Sequence, residues 1–169
     1  TRQGTPKQIP RRRPIQMKSY VQIVDTLQAI ANKHLILQHF HAGPLDEVDI
    51  GKLDQTQYPF LYCEILGVSI DNGILTYDLE LLVADMIKPD LTDRNQVYSD
   101  TLQILHDVLD MFIQSLANSN TTVDDDYKAE LPLSCTPFTV RFDNELTGWS
   151  GSLTLEVSNA NNLCIAPYS

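Results

Sequence analysis

"YPFLYCEILGVSIDNGILTYDLELLVADM" occupies residues 58–86, and its reading decides the fold. Asp71-Asn72-Gly73 separates two apolar-rich runs. Asn-Gly between strand-like segments signals a tight hairpin, because both central turn positions require positive φ. In the second run Leu75, Tyr77, Leu79, Leu81 and Val83 share one strand face. Thr76, Asp78 and Glu80 hold the other until Leu82 and Ala84. In the first run Leu61, Cys63 and Ile65 alternate with Phe60, Tyr62, Glu64 and Leu66, so neither face is plainly polar. Paired strands of this kind fit a sheet covered on one side and touching something on the other.

Working outward, Ile23, Leu27, Ile30, Ala31 and Leu35 recur at three- and four-residue spacing. They predict an amphipathic helix that opens on Ser19 as N-cap and runs on until Gly43-Pro44 stops it. A short strand is expected near residues 47–53. Beyond the hairpin, Thr92 or Asp93 is expected to cap a second helix, Asp93 standing in capping-box register with Gln96. Tyr98, Thr101, Leu102, Leu105, Leu109, Phe112, Ile113 and Leu116 line its broad apolar stripe. The polar run Asn118–Lys128 reads as a surface loop. A second strand pair follows, with Phe138, Val140 and Phe142 inward on one strand. Trp149, Leu153, Leu155 and Val157 face inward on the other, and Trp149 anchors it in the core. The fold class is therefore α+β: an antiparallel sheet of four to five strands, two main helices on one face, and an extended N-terminal arm. Its core is expected to contain Leu27, Ile30, Leu79, Leu81, Leu105, Leu109, Phe112, Phe138, Val140, Phe142, Trp149, Leu153 and Leu155.

The chain has 169 residues, 43% hydrophobic and 20% charged, which fits one ordinary globular domain. Its net charge of −10 is unevenly spread. The first 18 residues hold Arg2, Lys7, Arg11, Arg12, Arg13 and Lys18 with no acid, leaving −16 for the remainder. Pro6, Pro10 and Pro14 punctuate the same stretch, so residues 1–16 read as a basic extended arm on an acidic domain spanning 17–169. The acidic body should repel nucleic acid, whereas the arm suits phosphate or the acidic surface of a neighbouring subunit. No apolar run reaches the ~18 residues of a membrane span, and no apolar stretch backs the N-terminal charges as in a secretory signal. Cys63, Cys135 and Cys164 have neither CxxC nor metal-ligand spacing and read as free thiols in a reducing compartment.

Catalytic patterns are scarce. There is no phosphate-cradling glycine loop and no nucleophile elbow. His34, His39 and His41 cluster near a predicted helix end, where cationic side chains are favoured without a metal. Asp124, Asp125 and Asp126 lack the alternating ligands and glycine turn of a calcium loop. Glu64, Asp78 and Glu80 on adjacent strands raise a metal-dependent hydrolase as an alternative, but an outward polar strand face accounts for them better. Neither a cofactor nor a metal is expected.

Three stretches carry a resemblance: "YPFLYCEILG" (58–67), "YDLELLVADMIKPDLTDRNQVYSDTLQILHDVL" (77–109), and "PFTVRFDNELTGWSGSLTLEV" (137–157) with "CIAP" (164–167). In that order they resemble the tail-terminator and tail-completion (neck) proteins of tailed bacteriophages. The likeness covers roughly residues 17–167 and leaves out the basic arm. It implies a non-enzymatic virion protein, made in the host cytoplasm. Such a protein forms a homo-oligomeric ring, usually a hexamer, at the head-proximal end of the tail. The ring ends tube assembly and joins the tail tube protein to the neck and portal connector, with DNA at most passing through its lumen. A closed ring needs a heterologous interface. Tyr58, Phe60, Tyr62, Glu64 and Leu66 are the candidate interface residues on the sheet, and Arg11, Arg12 and Arg13 those on the arm. A head-completion collar, a baseplate component or a free-standing binding module are the alternative readings.

Overall fold

A computed structural model describes residues 19–44, 57–118, 127–139 and 146–158. Chain order is α1 (Tyr20–Lys33), β1 (His39–Ala42), β2 (Phe60–Asp71), β3 (Ile74–Met86), α2 (Arg94–Asn118), β4 (Tyr127–Ala129), β5 (Ser134–Thr139) and β6 (Leu146–Ser158). The fold is α+β. The expected arm, the short strand near 47–53, the Asp124–Asp126 run, Val140, Phe142 and Cys164 lie outside the described residues.

Local chemistry sets the elements. Ser19 accepts from the Gln22 N–H at 3.4 Å while Gln22 Oε1 accepts from the Ser19 N–H at 3.0 Å, a complete capping box. Asn72 and Gly73 both take positive φ, 35° and 85°, as the hairpin turn demands. The second helix starts at Arg94 without the expected box. Asp93 Oδ1 instead accepts from the Lys88 N–H, and Gln96 Nε2 donates to Asp100.

The sheet order among the described residues is β1-β2-β3-β6, with β4 and β5 both lying along the far edge of β6. Tyr127–Ala129 pair with residues 155–157 of β6 and Ser134–Thr139 with residues 147–152, so two short strands share one edge. Among the described residues the sheet has six strands rather than the expected four to five, and it is mixed: β1 runs parallel to β2, from His39 opposite Phe60 to Ala42 opposite Cys63. That strand takes the place of the last turn of the expected helix α1. The helix stops at His34 because its Nδ1 accepts the N–H groups of Ile36 and Leu37, turning the chain out of helical register. Leu35 is consequently exposed, and Leu37 is the buried residue.

Both helices cover one face. Ile23, Leu27, Ile30 and Ala31 of α1 and Ile104, Leu105, Val108, Leu109 and Phe112 of α2 pack on Leu61, Cys63, Leu79, Leu81, Val83, Leu153 and Leu155. Trp149 is half-buried at the margin of this core. Its Nε1 donates to the Tyr98 carbonyl at 2.9 Å, and the two rings meet edge-on. Gly151 lets α2 approach, since a Cβ there would stand 3.3 Å from Leu105 Cδ2. The opposite face holds a second apolar cluster at one end: Tyr58, Phe60, Tyr62, Leu82, Ala84, Phe138 and Leu146.

Candidate subunit-interface site

The second cluster revises three candidate interface residues. Tyr58, Phe60 and Tyr62 are buried within the chain. Phe60 and Tyr62 are apolar on the supposed outer face because the sheet is buried on both faces there, as fully internal strands are. Tyr62 further donates its hydroxyl to the Gly43 carbonyl and stacks on His41. Of the five sheet candidates, only Leu66 is exposed, and Glu64 is half-exposed. Arg11, Arg12 and Arg13 lie outside the described residues.

The exposed apolar surface sits further along the hairpin. A β-bulge interrupts the β2–β3 register between Ile65 and Gly67, and Leu66 is the extra residue. Past it, Val68 opposes Tyr77 and Ile70 opposes Leu75. Tyr77 and Leu75 are buried under the helices, but Val68 and Ile70 are 44% and 76% exposed. Leu66 at the bulge is 59% exposed, and Ile74, opposite Asp71 on the other face, is 44% exposed. The neighbouring strand β1 pairs with β2 only through Cys63. From Glu64 to Asp71, β2 therefore offers an edge with no strand partner among the described residues. A long, exposed, apolar edge is a template for adding another strand. Val68 and Ile70 were legible as apolar residues flanking the turn. What the sequence lacked was any sign that the helices stop short of them.

The outer face beside this edge is acidic. Glu64 stands directly opposite Glu80, a like-charge cross-strand pair that is unfavourable unless a cation joins it. Asp78 and Asp71 continue the same face toward the turn. Hydroxyls partly tie these groups down: Ser150 donates to Glu80, and Thr154 donates to Asp78 at 3.0 Å. No Lys or Arg among the described residues forms an ion pair with Glu64 or Glu80.

The remaining chemical candidates do not converge. His34 faces Asp107 at 3.7 Å, while His39 and His41 lie on β1. The His39 imidazole is pushed below its ordinary pKa by burial and then by the nearby His41. Cys63 is buried, and burial followed by the neighbouring Glu64 charge pushes its thiol up to about 12. Among the described residues no three His, Cys, Asp or Glu side chains stand together as a metal set, Glu64, Asp78 and Glu80 included. A groove of about 480 Å³ between α2 and β5 is lined by Leu102, His106, Leu109, Asp110, Leu133 and Cys135. No helix among the described residues is long and apolar enough to cross a membrane. No protein-family model matches the chain, and no curated protein matches it in sequence.

Proposed function

We propose that this chain is a non-enzymatic structural protein of a tailed phage. In this reading, copies join side by side into a ring at the head-proximal end of the tail. The observation that carries the reading is the β2 edge from Glu64 to Asp71, which has no strand partner among the described residues, with exposed Leu66, Val68 and Ile70. An isolated globular chain gains nothing from such an edge and risks aggregation through it. A subunit that closes a ring uses it, because a heterologous contact of one edge with a different surface of the next copy repeats until the ring shuts. The resemblance to tail-terminator proteins supplies the location, and the acidic surface suits a lumen through which DNA passes without sticking.

Native mass spectrometry of the full chain, across a range of concentrations, tests the reading. A closed oligomer of fixed stoichiometry, a hexamer for preference, together with the chain's presence in purified virions, is expected. A strict monomer that is missing from particles would sink it.

A further inference from the structure

The open edge and the N-terminal arm fit each other, and we infer that residues 5–14 of one copy add as an extra strand to residues 64–71 of β2 in the next. The inference rests on the ring reading and names what occupies its interface.

Three features of the arm match three features of the edge. The first is hydrogen bonding. In an extended strand, successive residues direct their N–H and C=O groups to alternate edges. Pro6, Pro10 and Pro14 are all even-numbered, so the missing donors fall on one edge alone. Thr5, Lys7, Ile9, Arg11 and Arg13 keep a complete ladder on the other edge. Such a segment can pair once and then presents a side that accepts no further strand, which is how proline is tolerated at sheet edges. Thr5, Ile9 and Arg13 also precede prolines and are thereby biased to extended backbone, which lowers the ordering cost.

The second feature is charge. The odd-numbered side chains share one face, placing Lys7, Arg11 and Arg13 together. The β2 edge has Glu64, Ser69 and Asp71 on its outer face, with Glu80 and Asp78 in the next row. Cations added there relieve the Glu64–Glu80 repulsion. The third is apolar matching. The even-numbered face carries Pro6, Pro10 and Pro14, with Gln8 and Arg12 between them, and its prolines would lie beside Val68 and Ile70, which the helices leave uncovered.

The test uses the full chain, mixed in equal amounts from ordinary and ¹⁵N-labelled preparations, joined by a zero-length carbodiimide cross-linker and mapped by mass spectrometry. Mixed-isotope links from Lys7 to Glu64 or Asp71 are expected. Arg11→Glu with Arg13→Glu should cut their yield at least about tenfold, since close ion pairs become like-charge contacts. Arg12→Glu, on the proline face, should leave most of the yield. Links confined to one isotope would mean that the arm folds back on its own chain, and they overturn the inference. Equal loss from Arg12→Glu would mean diffuse attraction without a strand register, and it overturns the inference too. A closed ring whose Lys7 never links to β2 refutes the arm docking while leaving the ring reading in place. A monomer refutes the ring reading itself.

Discussion

Gly148 shows how a single position can be fixed by its neighbours' backbone. A Cβ built there would lie 1.9 Å from the Val83 carbonyl oxygen and 2.9 Å from its carbon, atoms that cannot move without breaking the β3–β6 ladder. Gly151, three residues on, faces side-chain ends alone: a Cβ there would lie 3.3 Å from Leu105 Cδ2 and 3.6 Å from Cys135 Sγ. Gly148→Ala should therefore cost about 3 kcal/mol, the upper end for overpacking, and Gly151→Ala about 1 kcal/mol or less. Urea-unfolding midpoints of the two variants measure the difference, and equal losses would contradict the reading. Neither requirement was legible in the sequence, where both glycines sit in an ordinary apolar alternation. Trp149 was expected in the core, and its indole packs against it. Its ring nitrogen is also used, reaching the Tyr98 carbonyl on α2. A hydrogen bond between residues 51 apart leaves no local trace in the sequence.

At the scale of elements, the reliable signals were those spanning two to four residues. Ser19 was recognisable as an N-cap, and both halves of its box with Gln22 are formed. Ser19→Ala should lower stability by about 1 kcal/mol, the usual worth of such a cap, read as a shift in thermal midpoint with α1 otherwise intact. A shift below about 0.3 kcal/mol would show that tertiary packing alone holds the helix start. The Asn72-Gly73 turn was equally legible, because its chemistry is a backbone requirement of the two residues themselves. The end of α1 was not. Leu35, Ile36 and Leu37 continue an apolar pattern that suits helix or strand. The choice was made by His34 turning the chain and by β2 offering its edge to β1. The bulge at Leu66 belongs to the same class, since it is defined only by what stands across the ladder.

At the scale of the whole molecule, one carboxylate shows how assembly of the fold alters its acid–base behaviour. Asp85, near the end of β3, has its pKa raised, mainly by burial. The Met86 N–H opposes the shift, and Asp100 and Asp93 add to it. The native state thus holds this proton to higher pH than the unfolded chain does. The penalty is absent below the ordinary value of 3.8 and develops as pH rises through the raised one. Asp85→Asn keeps the oxygen that accepts from Met86 and removes the charge. Its urea midpoint should exceed that of the parent at pH 7, and the two should merge near pH 3. A variant less stable at pH 7 would contradict this.

The same scale separates what each source of information decided. The sequence by itself determined the α+β class, the helix start, the hairpin and the inward faces of β3 and β6, because period and turn chemistry act over neighbouring residues. It also carried the contrast between a basic, proline-spaced arm and an acidic body. Only the tertiary structure decided that Phe60 and Tyr62 lie inside while Val68 and Ile70 lie outside, although all four read as apolar strand residues. The physical reason is coverage. Val68 and Ile70 on β2 stand opposite Tyr77 and Leu75 on β3, which are buried, so the helical layer gives out across the sheet toward the β2 edge. Which part of a strand falls beneath that layer depends on long-range pairing, on which local hydrophobicity is silent.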